Sequence, residues 1–307
     1  LALEALAGYP EFLNGRLPHP VVGVGAAISA FDRSWNIPNR SEGAKRGLGV
    51  LTLALIGGGA ALVGAMATRT ARPRGKFGEA LLAIAATTGL AQRSLWDHVS
   101  AVLAPLEVGD LDAARLAVGR IVGRDTHDLG EAGIAAAALE SLAESFNDGV
   151  VAPAFWLALG GLPGLFAYKA VNTADSMIGH MEPRWRSFGW AAARTDDVMN
   201  LVPARLAGVL LVLAGGGGWK TMIRDAGKHA SPNAGWPEAA MAGVLGVKLG
   251  GPAAYDGEVM KDRPVLGDGR APDAADLRRG LQVYARACGL LWLCVGALAA
   301  KEATCRR

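Results

Sequence analysis

The stretch Gly47 to Thr68, GLGVLTLALIGGGAALVGAMAT, carries no charged side chain. At a rise of 1.5 Å per residue, a helix of this length runs about 33 Å, enough to cross a hydrocarbon core. Arg33, Arg40, Lys45 and Arg46 precede it, and Arg69, Arg72, Arg74 and Lys76 follow, so the cation bias that orients a span does not choose a direction here. The whole chain agrees with a membrane reading. Its 307 residues are 51% hydrophobic and only 19% charged, against about 25% charged in ordinary soluble domains. A net charge of +3, with no basic run interleaved with aromatics, excludes nucleic acid as the expected partner.

Working outward, the other apolar segments are less complete. Ala80 to Gln92, Leu206 to Trp219 and Ala287 to Ala300 are partial spans of the length used by buried or re-entrant helices. Val150 to Tyr168 is long enough to cross, but Pro153, Gly160-Gly161 and Pro163-Gly164 interrupt it. Two readings stay open: a broken helix whose freed backbone groups face a polar cavity, as in transporter sites, or a helical hairpin turning at Gly160 to Gly164. Asp110 to Val122 has the pattern of an amphipathic helix, and Lys261 to Asp276, rich in Asp, Pro and Gly, that of an exposed loop. No signal-type segment stands near the amino end, so insertion is expected to come from internal segments. Cys288, Cys294 and Cys305 form no CxxC pair and are expected to be structural thiols. Strand-like alternation is sparse. The expectation is one all-α polytopic membrane domain over residues 1–307, with broken or re-entrant helices and amphipathic connections.

Chemistry is concentrated between Glu140 and Arg205. Ionisable residues in a bilayer cost about 2.5–3.5 kcal/mol each on insertion scales, so their retention points to use. Glu140, Glu144 and Asp148 follow at i, i+4 and i+8, which predicts a carboxylate stripe, either a solvated acidic face or one neutralised by a divalent cation, a basic side chain or a basic substrate. Asn172, Asp175 and Ser176 stand at i, i+3 and i+4, with Lys169 one turn earlier. Asp196, Asp197 and Asn200 read DDxxN, between Arg194 and Arg205. Oxygen ligands in twos and threes beside cations suit Mg²⁺ shared with substrate phosphates. The run Gly215-Gly-Gly-Gly-Trp-Lys220-Thr221 fails as a phosphate loop, because GxxxxGKS/T requires glycine at Trp219. The histidines lack metal-ligand spacing. Ser231 to Glu238, SPNAGWPE, reads as a helix-opening turn or as a lip of a substrate site.

Several longer motifs resemble the CobD/CbiB family, the adenosylcobinamide-phosphate synthases of cobalamin biosynthesis. They are HPV (His19 to Val21), VGRDT (Val122 to Thr126), ESLAESFNDGVVAP (Glu140 to Pro153), LPGLFAYKAVNTADSMIG (Leu162 to Gly179), FGWAAARTDDVMNLVPARL (Phe188 to Leu206) and SPNAGWPEA (Ser231 to Ala239). Two positions depart from the family pattern: Ser145, where members usually carry Asn, and Tyr9, where Gly-Asp-Pro is usual. The resemblance implies a multi-pass enzyme of the bacterial inner membrane. It would join adenosylcobyric acid to (R)-1-aminopropan-2-yl phosphate through an amide, using ATP as a substrate with Mg²⁺. It also implies contact with membrane lipid and association with other late cobalamin-pathway membrane enzymes. On that reading Glu140, Glu144, Asp148, Asp175, Asp196 and Asp197 handle metal and amine, with Asp196, Asp197 and Glu144 as the Mg²⁺ candidates. Lys169, Arg194, Arg205, Arg124 and Arg93 would hold phosphates, and Asn172, Ser176, Asn200 and Asn233 would contact substrate. Two rivals are a Mg²⁺-dependent intramembrane prenyl or phosphoalcohol transferase and a transporter with a midplane site on Val150 to Tyr168.

Overall fold

The computed structural model describes residues 1–8, 19–255, 257–260 and 262–305, so the departure at Tyr9 lies outside the described residues. The chain is helical: α1 (Ala2–Ala7), α2 (Pro20–Trp35), α3 (Glu42–Ala71), α4 (Gly75–Thr87), α5 (Gln92–Glu107), α6 (Leu111–Val118), α7 (Glu131–Phe146), α8 (Ala152–Ile178), α9 (Trp190–Gly215), α10 (Trp219–Asp225), α11 (Gly235–Leu245) and α12 (Ala274–Cys305). Among the described residues four helical segments are long and apolar enough to cross a membrane: Glu42–Glu107, Glu131–Ile178, Trp190–Gly215 and Ala274–Lys301. The protein is an all-α polytopic membrane protein. Its residues group into two compact units, 1–91 with 152–200, and 92–151 with 201–307.

In the first unit α3 starts where Ser41 Oγ accepts from the Ala44 amide at 3.3 Å, and it runs for 30 residues without an internal charge between Arg46 and Arg69. Its buried positions are small, Gly49, Thr52, Gly64 and Ala71, while Leu51, Leu55, Leu62, Val63 and Met66 are exposed. A soluble helix shows the reverse. Small residues inside and large apolar ones outside are the pattern of a helix packed on protein by close backbone approach and facing lipid elsewhere. The approach is visible at Gly64, where a Cβ would lie 2.7 Å from the backbone of Leu162 and Pro163, and at Gly49, where it would strike the carbonyl of Phe188. Behind this contact Ile28, Ala174, Ile178, Phe188 and Ala192 form a buried cluster.

Of the two readings of Val150 to Tyr168, the hairpin describes α8. Gly161 leaves the helical region with φ 60° and ψ −153°, a conformation open to glycine. A Cβ on Gly164 would sit 2.5 Å from the carbonyl of Trp156, whereas a continuous helix separates residues eight apart by about 12 Å. The chain therefore folds back at Gly161, and Leu159 and Gly160 at the tip are exposed. Pro153 does not break the chain. Lacking an N–H to give the fourth preceding carbonyl, it follows a π turn over Asn147–Val151 that links α7 to α8.

In the second unit α7 is central. Ile134, Leu139, Leu142 and Phe146 are fully buried, Gly280 of α12 lets Leu139 approach, and Phe146 meets Tyr284 edge-on at 5.6 Å. Tyr284 Oη donates to the Gln92 carbonyl at 2.9 Å and Trp292 Nε1 to Gln92 Oε1 at 2.7 Å, tying α12 to α5. The expected loop of Lys261 to Asp276 is only partly a loop. Strands β1 (Leu249–Gly250) and β4 (Val265–Leu266) pair antiparallel, as do β2 (Ala253–Tyr255) and β3 (Glu258–Met260), and Leu266 and Asp276 are buried. Strands of two and three residues are too short to display alternation, so the sequence pattern did not reveal them. The expected amphipathic helix is shorter than its pattern, ending at Val118.

Candidate functional site

The second unit contains a charged cavity of ≈ 390 Å³. Arg124, Glu140, Glu144, Ser145, His229, Glu238 and Arg263 are in its wall. Glu140, 3% exposed, is its structural centre. Its Oε2 accepts from Arg124 and, at 3.1 Å, from Arg263 Nη2, and its Oε1 accepts from the Gly250 amide at 2.7 Å. The VGRDT motif explains the position of Arg124. Its neighbour Asp125 clamps the β2–β3 hairpin: the Asp125 amide donates to the Ala254 carbonyl at 2.9 Å, and Oδ2 accepts from the Gly257 amide at 2.8 Å. The hairpin region that supplies Gly250 and Arg263 is thus pinned to the loop that supplies Arg124.

Glu238 sits at the buried N-terminal turn of α11, 3% exposed. Its Oε1 is 3.6 Å from His229 Nε2, and its Oε2 has no hydrogen-bond partner among the described residues. Desolvation first, then the nearby carboxylates Glu144 and Glu140, push its carboxyl well above the ordinary range. His229 is displaced downward, chiefly by desolvation. Its Nδ1 accepts from the Ser231 amide at 3.0 Å, which leaves the neutral ring's proton on Nε2, facing Glu238.

The carboxylate stripe is only partly realised. Glu140 and Glu144 both line the cavity, but the π turn begins before Asp148, which is not among the lining residues and accepts from Asn147 Nδ2 at 2.7 Å. Ser145, the departure from the family pattern, is in the cavity wall. Arg205 and Asn233 lie elsewhere in the same unit and meet each other. Arg205 Nη1 donates to Asn233 Oδ1 at 3.2 Å, and its guanidinium lies over Trp236 at 4.8 Å. In the SPNAGWPE turn Ser231 Oγ accepts from the Asn233 and Ala234 amides at 3.2 Å, α11 opens at Gly235 without a side-chain cap, and Glu238 is in the cavity wall. Arg93 pairs with Asp97 one helical turn on and is not a cavity residue.

The first unit holds a second polar constellation, a chain of side chains between α8 and the first half of α9 that is buried except at the half-buried Lys169. Lys169 Nζ donates to Asn172 Oδ1 at 3.0 Å, and Asn172 Nδ2 to Asp196 Oδ1 at 3.3 Å. Asn200 Nδ2 donates to Asp196 Oδ2 at 2.9 Å, and Tyr168 Oη to Asn200 Oδ1 at 3.1 Å. The spacing thus brought together Lys169, Asn172, Asp196 and Asn200. Asp197 turns to Arg194 at 3.3 Å, so the two adjacent aspartates serve different partners. Ser176 Oγ donates to the Asn172 carbonyl of its own helix at 2.9 Å, and Asp175 is half-buried on the same arm of α8.

Among the described residues no three His, Cys, Asp or Glu side chains gather as a protein-only metal site. Mg²⁺ does not require one, since one or two carboxylates with substrate phosphates are its usual set. Glu144, exposed on the cavity wall, suits that arrangement. Sequence reasoning missed Glu238, His229, Arg263 and the Gly250 amide. Glu238 carried a signal: it is the sole charge in the helix GWPEAAMAGVL. Arg263 and His229 carried none.

These features define a multi-pass helical membrane protein with a partly open, arginine- and carboxylate-lined cavity in its second unit. The family model for CobD/CbiB proteins matches residues 1–284. "Cobalamin biosynthesis protein CobD" of Rhodobacter capsulatus is 46% identical over 303 residues, 97% of this chain and 95% of the relative. The protein of that name from a Sinorhizobium species is 44% identical, covering 95% of this chain and 93% of the relative, and that from Brucella melitensis is 43% identical, covering 92% and 90%. No solved structure matches. The chain belongs to the CobD/CbiB family of cobalamin biosynthesis proteins.

Proposed function

We propose that this protein is an ATP-dependent amide ligase of the bacterial inner membrane, joining adenosylcobyric acid to (R)-1-aminopropan-2-yl phosphate. The observation that carries the reading is the cavity of the second unit. It sets two guanidiniums beside buried carboxylates, one of which keeps an oxygen without a partner among the described residues. An aminoalkyl phosphate bears one anionic and one cationic group, and such a wall offers a counter-charge to each.

A carboxylate is a poor acyl donor. Attack of the corrin carboxylate oxygen on the γ-phosphorus of ATP, with ADP leaving, converts it to an acyl phosphate. The amine then displaces inorganic phosphate and forms the amide, and its ammonium proton must be lost before or during that attack. Arg124 and Arg263, fixed by Glu140, would stabilise phosphate charge without reorganising. Glu144, exposed in the cavity wall, would be the carboxylate to hold Mg²⁺ brought by the nucleotide, which would supply charge neutralisation to the phosphoryl oxygens. The transporter reading puts its site on Val150 to Tyr168; no residue of that segment lines the cavity of the second unit, and Phe166 lines a separate cavity of the first.

The test is ligation by purified protein in detergent with cobyric acid, aminopropanol phosphate and Mg-ATP. Amide should appear in step with ADP and phosphate. Amide formed without nucleotide turnover would sink the acyl-phosphate route, and no amide with any amine would sink the ligase reading.

A further inference from the structure

Among the described residues the cavity wall holds three carboxylates, Glu140, Glu144 and Glu238, and two arginines, Arg124 and Arg263. Glu140 accepts from both arginines and from the Gly250 amide, so it is matched within the protein. Glu238 is different. It stands in the cavity wall, its Oε1 lies 3.6 Å from the imidazole Nε2 of His229, and its Oε2 is buried with no hydrogen-bond partner among the described residues. A buried acceptor left in that state costs the full desolvation penalty of the group, about 1–3 kcal/mol and more when charged. Such a cost is retained where a ligand removes it, and the missing element is an N–H donor with positive charge.

We propose that Glu238, positioned by His229, is the receptor for the primary ammonium group of an aminoalkyl phosphate whose phosphate is held by Arg124 and Arg263. The substrate class rests on the ligase reading of the same cavity. A single open carboxylate oxygen, with an imidazole on the other, suits one or two N–H bonds from a compact ammonium. The upward displacement of the Glu238 carboxyl by burial and by Glu144 has the same origin, since an ammonium beside it would offset both effects. Ser145 lies in the same wall, next in sequence to Glu144, so the position that departs from the family pattern borders this pocket.

The experiment compares binding of 1-aminopropan-2-yl phosphate and of propan-2-yl phosphate, which lacks the amine, to the detergent-solubilised full chain. Wild type should prefer the amine by about tenfold or more, the worth of one charge-assisted hydrogen bond. Glu238→Gln keeps the shape and removes the charge. It should lose that preference while binding propan-2-yl phosphate as wild type does, which also reports that the variant is folded. A preference retained in Glu238→Gln, or absent from wild type, would overturn the proposal. Ligation by wild type alongside either result would leave the ligase reading standing. Loss of ligation with every amine, with the Glu238-dependent preference intact, would overturn that reading and leave the ammonium site.

Discussion

The indole Nε1 of Trp156 donates to the carbonyl of Met199 at 3.2 Å. Met199 lies four residues before Pro203, inside α9, so its carbonyl has no intrahelical N–H to accept. The tryptophan on the first arm of the α8 hairpin thus supplies the donor that the proline removed. Trp156→Phe should destabilise the protein by about 1–3 kcal/mol, the cost of an unmet buried acceptor. Pro203→Ala restores the helical donor, so the same tryptophan change should cost markedly less in that background. Thermal unfolding of the four proteins in detergent checks the cycle, and equal costs in both backgrounds would refute it.

Glu140 accepts from the guanidiniums of Arg124 and Arg263, both in the cavity wall, and from the Gly250 amide. Glu140→Ala leaves both arginines without their shared anion and should cost about 3–5 kcal/mol, in the range for breaking a buried pair. Arg263→Met should cost less, because Arg124 and Gly250 still satisfy Glu140. Denaturant unfolding that ranks Arg263→Met as the more damaging change would contradict this assignment.

Glu238 sets a pH dependence. Its carboxyl is raised, so between the ordinary carboxylate range and its folded value the folded protein binds more protons than the unfolded chain, and stability falls as pH rises. His229 is lowered, so it works in the opposite sense, costing stability only as pH falls below about 6.5. Glu238→Gln removes the first effect. Its melting temperature should exceed that of wild type, with the gap widening as pH rises through and above the ordinary carboxylate range. A gap that narrows as pH rises would show that the carboxyl is not raised.

Gly64 lets α3 touch the backbone at Leu162 and Pro163, next to the hairpin turn. Gly64→Val should push these elements apart and lower the melting temperature, while Gly58→Val on the same helix, where a Cβ meets nothing, should have little effect. Equal effects would mean that the close approach does not hold the two segments together.

Much of the fold was legible because it depends on local composition. The uncharged run Gly47 to Thr68 became the core of α3, since twenty-odd apolar residues have few options other than a lipid-facing helix. Helical spacing likewise placed Lys169, Asn172, Asp196 and Asn200 on facing surfaces, where they form one polar chain, buried except at Lys169. The same spacing misjudged Asp148, because the backbone widens into a π turn ahead of Pro153 and the periodicity of 3.6 no longer applies.

The amino-acid sequence by itself determined a helical membrane protein, the order of its family motifs and the presence of Glu140 and Glu144 on one helical face. Only the tertiary structure decided that Val150 to Tyr168 is a hairpin rather than a broken span, since proline and glycine interrupt a helix equally in either case. It also decided what surrounds Glu140. Arg263 is 123 residues away from it, and Glu238 and His229 arrive from another helix and the turn before it. No periodicity links such positions. They meet because short strands and buried helix packing fold distant segments onto one cavity, and that closure turns scattered charges into a site.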